Sequence, residues 1–329
     1  MIQVDEVPVL ILGYMRFDGI LRNLESCKNA GISKVYLSVD GAKDIESQEL
    51  QRRELDRIQR LAETQGIKLF LRHRHSNAGL AVAVIEGISW FFENEEFGVI
   101  LEDDLVISSD FFSFVTQALH LFKDQNRVAL VSGNNFQMQK PSREVSAAHY
   151  PLIWGWATRR TIWNDFVSSL EKPLFFKINW KLPLSVNAFW WTAAKQSRNG
   201  LVDSWAMSFS NYIRMRDLLC LIPPVNLISN NGVDIQAVHS NSSDRFVNFP
   251  IIPLGSEIIW SLPSAPSISA TDKYLEDFVF RISRRSLLSP FKVILRIVFT
   301  KLFRQKKSLV EKLTTSRNSS EFSISGGLI

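Results

Sequence analysis

The sequence predicts an α/β protein with an open, twisted and mostly parallel sheet flanked by helices. Over roughly the first 130 residues, short apolar runs alternate with longer segments of helical periodicity. Such alternation is typical of parallel strands joined by right-handed crossovers. The 329 residues, of which 46% are hydrophobic and 22% charged, have a globular composition and suffice for a substantial core.

Five strands and four helices are expected in this first part of the chain. The strands are residues 7–12, 34–39, 67–72, 99–101 and 128–132, and the helices are residues 19–30, 46–65, 81–94 and 110–122. Open sheets of this class bind ligands at the carboxyl ends of their strands. Asp40, Asn77 and the acids after the fourth strand all follow predicted strands, so they are expected along one edge.

The segment FGVILEDDLVISSDFF places Glu102, Asp103 and Asp104 in a row at the end of the fourth strand. Adjacent carboxylates repel one another at neutral pH unless a cation lies beside them. Mn²⁺ and Mg²⁺ prefer oxygen ligands and need few protein carboxylates when substrate phosphates supply the rest. The pattern therefore favours a Mn²⁺ or Mg²⁺ site. The alternative is an acidic turn before the next helix, which Asp110 could cap.

Charge and cysteine content limit the class of protein. The net charge of +5 is mild, so no nucleic-acid partner is expected, and two cysteines do not indicate a disulfide framework. The first residues carry acids where a secretory signal needs Lys or Arg, and no apolar run is long enough to cross a bilayer. These features predict a cytoplasmic protein, with peripheral attachment to the inner face of the cell membrane as a further hypothesis.

Residues 134–255 are rich in tryptophan: Trp154, Trp156, Trp163, Trp180, Trp190, Trp191 and Trp205. Aromatic rings can pack against the flat faces of sugars, so this half could form an acceptor-binding platform. A core built from large residues is the alternative, and it is favoured for any single tryptophan because aromatic rings bury much area in every function.

The remaining residues, 256–329, begin as a Ser/Pro-rich connector and then become strongly basic. Between Asp277 and Glu311 there is no acid, and basic residues recur at Arg284, Arg285, Lys292, Arg296, Lys301, Arg304, Lys306 and Lys307. A helix here could lie on an anionic membrane surface or dock on the catalytic domain. The last residues are predicted to be disordered. The chain thus divides into residues 1–133 and 134–255, two halves of one catalytic domain, and an extension.

The segment GVILEDDLVISSDFFSF resembles the strand–acid–helix segment of GT-A-fold glycosyltransferases. The resemblance is closest to the N-acetylglucosaminyltransferase I type and to related bacterial nucleotide-diphospho-sugar transferases, and with the segments below it extends in order over about residues 7–240. In that family the last acid contacts the metal that bridges the nucleotide's phosphates. The resemblance therefore implies that Asp104 is a metal ligand, with Asp103 and Glu102 beside it.

Three further segments resemble the family's nucleotide-binding region. VLILGYMRFDGILRNLESC is similar to its first strand and helix, which implies that Arg16 contacts the nucleotide. VYLSVDG is similar to its second strand, which implies that Asp40 bonds uracil. RHRHSNAGL resembles an N-x-G loop, which would place Asn77 and Gly79 near the nucleotide. As alternatives, Asp40-Gly41 is also a turn signal and the N-x-G segment an ordinary loop.

Segments in the second half resemble the family's acceptor side. YPLIWGWATRRTIW is similar to a W-G-W-A-T segment facing the sugar or acceptor, which implies Trp154 and Trp156. GLVDSWAMSFSNYI resembles the region of the catalytic base, which implies Asp203 with Trp205 beside it, although the family's W-D-x-x-W here reads V-D-S-W. Asp203 could instead cap a helix over residues 204–215. PPVNLISNNGVDIQAVHS implies that His239 completes the metal shell or bonds a phosphate, although a single His is more often a structural donor.

The resemblance implies an inverting glycosyltransferase that moves a sugar from a UDP-linked or other nucleoside-diphosphate donor to a hydroxyl of a glycan or lipid-linked acceptor. Glycan or cell-envelope polysaccharide synthesis would be its setting. A sugar-nucleotide nucleotidyltransferase is the second hypothesis, against which the loop after the first strand counts, because it has a single glycine, Gly13, before Arg16. The third is a non-catalytic sugar-binding or membrane-surface protein on a related fold.

Overall fold

The computed structural model describes residues 3–137, 143–174, 178–180, 182–232, 246–255, 257–261 and 269–282. The strands are β1 (Val9–Gly13), β2 (Lys34–Val39), β3 (Lys68–His73), β4 (Phe97–Glu102), β5 (Leu105–Ile107), β6 (Val128–Ser132), β7 (Ser146–Ala148), β8 (Trp156–Arg159), β9 (Leu219–Ile222) and β10 (Ile228–Asn230). The helices are α1 (Phe17–Asn29), α2 (Ile45–Thr64), α3 (Leu80–Asn94), α4 (Phe111–Phe122), α5 (Arg160–Leu170), α6 (Leu184–Arg198), α7 (Ala206–Met215) and α8 (Ala270–Tyr274).

Eight strands form one mixed, mostly parallel sheet in the order β3-β2-β1-β4-β8-β6-β9-β7, and β10 pairs with β5 in a separate two-stranded sheet. The predicted fold class, an α/β protein with a mostly parallel sheet flanked by helices, is confirmed. All five predicted strands are present. Strands β1 to β4 are joined by parallel pairings, and β6 runs in the same direction because β4 and β6 each pair antiparallel with β8. Strand β8, which comes from the W-A-T segment, was not predicted.

The sheet is covered on both faces, and alternate strand residues enter two different cores. Val9 and Ile11 of β1 pack with residues of α1, α2 and α4. Leu10 and Leu12 pack on the other face with residues of α3, α5 and α7. The continuous apolar runs in the sequence thus reflect strands that are buried on both sides.

Local signals set the ends of the first helices. The Asp44 carboxylate caps α2 by accepting a hydrogen bond from the backbone N–H of Ser47 at 2.8 Å. Helices α1 and α2 are each followed by a glycine in the left-handed region, Gly31 with φ of 80° and Gly66 with φ of 72°. These short-range signals explain why the two helices end close to the predicted positions.

Several predictions concern parts of the chain that the structure does not describe. His239 and the basic segment over residues 284–307 lie outside the described residues. The three-part division of the chain stays a prediction, although the main sheet takes strands from both halves of the proposed catalytic domain. Within the described ranges, none of the helices combines the length and the apolar character needed to span a bilayer.

Candidate active site

The three acids after β4, Glu102, Asp103 and Asp104, are called the acidic tip below. Arg16, which immediately precedes α1, lies beside them: its Nη1 atom is 3.1 Å from Oδ2 of Asp104 and 3.5 Å from Oδ1 of Asp103. The other oxygen of Asp103 accepts a hydrogen bond from the backbone N–H of Tyr14 at 2.9 Å. Oδ1 of Asp104 is buried and accepts no hydrogen bond from the described residues.

Burial raises the pKa of all three carboxyl groups of the acidic tip. Burial, with the neighbouring charges of Asp104 and Asp103, raises the pKa of Glu102 to about 8. Burial also raises the pKa of Asp103 to about 6, although the Tyr14 N–H and Arg16 oppose it. The pKa of Asp104 is likewise raised by burial, against the effects of Arg16 and Asn230. One guanidinium therefore leaves the negative charge of the tip incompletely balanced.

The residues at the acidic tip fit a hard divalent cation. An unpartnered carboxylate oxygen beside a second carboxylate is the donor set that Mg²⁺ and Mn²⁺ accept. No group of three His, Cys, Asp or Glu side chains in the described part of the chain is arranged to hold a metal. A cation at Asp104 would therefore need further oxygen ligands from a substrate or from water.

An open cleft of about 500 Å³ adjoins the acidic tip. Its wall includes the side chains of Arg16, Arg22 and Arg57, together with Asp104 and Gly232. The backbone N–H of Asn231 donates to the carbonyl of Asp104 at 2.9 Å. A Cβ atom at Gly232 would overlap Oδ2 of Asp104, so a larger residue there would require the Asp104 carboxylate to shift. Asp18 and Glu54 also line the cleft, and Glu54 pairs with Arg57 at 3.1 Å, so its wall carries both positive and negative side chains beside the acids that could hold a metal.

The second group of predicted residues lies at the ends of β2 and β3. Asp40 is 8% exposed, and its carboxylate accepts hydrogen bonds from the N–H groups of Gly41, Ala78 and Gly79 and from the Asn77 amide, at 3.0 to 3.2 Å. Asp40 and Asn77 are therefore neighbours, as predicted. Because both Asp40 oxygens hold the 77–79 loop, a bond to uracil would compete with these contacts, and that role stays a prediction.

Asp203, from a distant part of the chain, contacts the start of α3, which directly follows the 77–79 loop. Its carboxylate accepts hydrogen bonds from the N–H groups of Leu80 at 3.0 Å and Ala81 at 3.1 Å, and so caps α3. A Cβ atom at Gly79 would lie 2.9 Å from Oδ2 of Asp203. The alternative role, as the N-cap of the helix that follows it, is wrong, because α7 begins at Ala206 with Trp205 at its N-cap.

The three tryptophans assigned to the acceptor pocket occupy different environments. Trp156 and Trp205 are 1% and 3% exposed and stack with ring centroids 5.8 Å apart, within an aromatic cluster that includes Trp163 and Phe209. The core interpretation accounts for both of them, and contact with a sugar would require these rings to leave the core. Trp154 is half-buried against Phe136, so its acceptor role stays a prediction.

Gln51 of α2 connects the two groups, and the sequence interpretation missed it. Its side chain is completely buried; Nε2 donates to the carbonyls of Tyr14 at 2.9 Å and Asp40 at 2.8 Å, and Oε1 accepts from the N–H of Ala42 at 2.9 Å. His73 Nε2 lies 3.2 Å from the same Oε1. The helical spacing of the sequence could have indicated that Gln51 is buried, because it lies on the same face of α2 as the buried residues Leu55, Ile58 and Ala62.

No family model matches the chain. Among solved structures, the chain is distantly similar to a protein assigned as a glucose-1-phosphate thymidylyltransferase from Bacillus anthracis (13% identity, 74% of this chain and 97% of that chain, TM-score 0.38). It is also similar to a UDP-glucose pyrophosphorylase complexed with UDP-glucose (10%, 68% and 90%, 0.38) and to TarS 1–349 from S. aureus (15%, 48% of each chain, 0.31).

Proposed function

We propose that this chain is a metal-dependent, inverting glycosyltransferase that moves a sugar from a nucleoside-diphosphate donor to an acceptor hydroxyl. The observation that carries the proposal is the acidic tip at the carboxyl edge of the sheet, where Asp104 keeps a buried, unpartnered oxygen beside Arg16 and an open cleft. The resemblance of the sequence motifs to GT-A-fold enzymes supplies the reaction class.

The donor's diphosphate would lie beside the acidic tip. Asp104, with Asp103 next to it, would hold Mn²⁺ or Mg²⁺. When bound, the cation supplies positive charge that stabilises the leaving diphosphate. Arg16 would turn from the carboxylates to the phosphate oxygens, for which a guanidinium offers several hydrogen-bond donors. Arg22 adds positive charge to the same cleft, where Arg57 is paired with Glu54.

Asp203 is the proposed general base. Two backbone N–H groups at the start of α3 hold its carboxylate in one orientation. The acceptor hydroxyl would give its proton to Asp203 while its oxygen attacks the anomeric carbon opposite the diphosphate. The bond from that carbon to the diphosphate oxygen breaks as the new glycosidic bond forms, and the configuration inverts.

The nature of the acceptor and the location of the reaction are parts of the same proposal. We expect a glycan or a lipid-linked acceptor, in glycan or cell-envelope polysaccharide synthesis, and a UDP-linked donor. The basic segment over residues 284–307 would favour attachment to an anionic membrane surface.

The metal role of Asp104 can be tested by donor binding. Thermal unfolding of the unaltered protein is measured with UDP, GDP and CDP sugars, each with and without Mn²⁺. We expect a metal-dependent increase in Tm with one nucleotide class, and its loss in Asp104→Asn, which removes the charged oxygen ligand. Asp18→Asn is the matched control, because Asp18 is exposed in the same cleft and is assigned no metal.

Three outcomes would count against this proposal. An unchanged metal-dependent shift in Asp104→Asn would remove Asp104 as the ligand. No response to any donor, with no transfer to an acceptor panel, would favour a non-catalytic protein. Release of pyrophosphate from a nucleoside triphosphate and a sugar phosphate would instead identify a nucleotidyltransferase.

Replacing Asp203 with asparagine is expected to abolish transfer while donor binding persists. The amide oxygen can still accept a hydrogen bond from α3, but it cannot take the acceptor's proton, so we expect kcat to fall by about 10²- to 10⁴-fold. Asp44→Asn, which alters the carboxylate that caps α2, is the matched control and should leave kcat unchanged. Loss of the donor-dependent Tm shift in Asp203→Asn would contradict the assignment.

A further inference from the structure

Two carboxylates hold four consecutive backbone N–H groups where the chain enters α3. These groups belong to residues 78–81, called the 78–81 segment below. Asp40 accepts hydrogen bonds from the first two, at 3.0 Å and 3.2 Å, and Asp203 accepts from the last two, at 3.0 Å and 3.1 Å. Gly79, with a φ of 85°, turns the chain between the two acids. The segment therefore connects the predicted nucleotide-binding acid to the proposed base.

Asp40 is the fixed end of this connection. Its carboxylate is buried after β2 and also accepts from the backbone N–H of Gly41 and from the Asn77 side chain, each at 3.0 Å. Nε of Arg74, a residue that is likewise 8% exposed, lies 3.5 Å from the Asp40 Oδ1 atom. Arg74 also pairs with Glu86 of α3. Asp40 thus fastens the start of α3 to the end of β2.

Asp203 is the exposed end, where an acceptor can reach the carboxylate. It lies in the loop between α6 and α7. Within the described part of the chain, its carboxylate takes its hydrogen bonds from the 78–81 segment. The orientation of the Asp203 carboxylate therefore depends on the position of this segment, and the position of the segment depends on Asp40.

We propose that Asp40 is a positioning residue for the base: it fixes the 78–81 segment, and the segment orients the carboxylate of Asp203. A displacement of about 1 Å near the reacting atoms can lower a rate about 100-fold, so a fixed carboxylate matters for kcat. The inference rests on the proposed function, because it takes Asp203 to be the base. Direct contact between Asp40 and uracil is the alternative, and it would act on nucleotide binding instead.

The kinetic test is a double-mutant cycle between Asp40→Asn and Asp203→Asn. Asparagine keeps one acceptor oxygen at position 40 but turns an NH₂ group toward the N–H donors of the segment. We expect Asp40→Asn to lower kcat about 10- to 100-fold, with the dissociation constant of UDP in the presence of Mn²⁺ unchanged. In the Asp203→Asn background it should lower kcat no further. An equal fall of kcat in both backgrounds, or weaker UDP binding in both, would overturn the proposal.

Amide hydrogen exchange tests the same connection without an activity assay. We expect Asp40→Asn to speed exchange at the N–H groups of Leu80 and Ala81 about three- to tenfold, although their own acceptor is unaltered. Asp272→Asn is the matched control, because Asp272 is 1% exposed and accepts from two backbone N–H groups elsewhere in the fold. It should leave exchange at both groups unchanged. Unchanged exchange in Asp40→Asn, or equally faster exchange in Asp272→Asn, would contradict the connection.

A milder variant covers the case in which Asp40→Asn does not fold. Asn77→Ala changes a half-buried residue and removes one donor that holds the Asp40 carboxylate, so it should speed exchange at the same two N–H groups; unchanged exchange would overturn the proposal. If the unaltered protein transfers a sugar and Asp40→Asn keeps its kcat, this inference falls alone. If the unaltered protein transfers no sugar, the proposed function falls, and the role of Asp40 toward a base falls with it.

Discussion

Replacing Gly19 with alanine is expected to lower the free energy of unfolding by about 3 kcal/mol or more. Gly19 lies in the first turn of α1, where a Cβ atom would overlap the backbone carbonyl oxygen of Asp103. That oxygen belongs to the main chain and cannot rotate away, so either the helix or the acidic tip must move. At an open helical position the change from glycine to alanine would stabilise the helix by up to about 1 kcal/mol. A loss of stability in Gly19→Ala would therefore be due to the close approach of Gly19 to the Asp103 carbonyl.

The measurement is thermal and urea unfolding of Gly19→Ala beside Gly255→Ala. A Cβ atom added at Gly255 would have no described atom within 4 Å, and the φ of Gly255 is not positive, so its replacement should stay within about 0.5 kcal/mol. We also expect Gly19→Ala to weaken the Mn²⁺-dependent donor shift, since Asp103 would be displaced. Unfolding of Gly19→Ala at the same urea concentration as the unaltered protein would show that the contact is easily relieved.

The parts of the fold predicted from the sequence are those whose signals are local. Strands β1, β2 and β4 appear as continuous apolar runs because both faces of the sheet are covered. Strand β8 has no such signal: it is four residues long, and its extended form depends on ladders with β4 and β6. Pairing between segments distant in sequence is decided by tertiary packing, which no single window of the sequence contains.

In the candidate site, too, contacts between residues distant in sequence could not be predicted. The three acids were expected at the end of the fourth strand, and they lie there, at and directly after the end of β4. A metal ion beside them stays a prediction. The sequence did not show that Arg16, which was assigned to the nucleotide, already pairs with Asp103 and Asp104 across 87 and 88 residues. Nor could it show that Asp203 caps a helix 123 residues earlier. Those contacts depend on which loops meet at the edge of the sheet.

Replacing Gln51 with leucine is the second change for which we expect a large effect. Leucine fills a similar volume, but the carbonyls of Tyr14 and Asp40 and the N–H of Ala42 would lose the partners that Gln51 provides. Each buried group left unpaired costs about 1–3 kcal/mol, so we expect a loss of about 3 kcal/mol or more in the free energy of unfolding. Gln48→Leu is the matched control, because Gln48 is exposed on the same helix and makes one 3.3 Å bond to Ala42.

The position of Gln51 also predicts an effect on binding that stability alone would not produce. It joins the loop after β1, whose Tyr14 N–H holds Asp103, to the loop after β2, which carries Asp40. Without that link the two loops can move independently, and binding of a ligand that contacts both must then include the entropic cost of ordering them. We therefore expect Gln51→Leu to weaken donor binding even at temperatures where the variant is fully folded. Equal dissociation constants for Gln51→Leu and Gln48→Leu under those conditions would mean that the loops are positioned without this side chain.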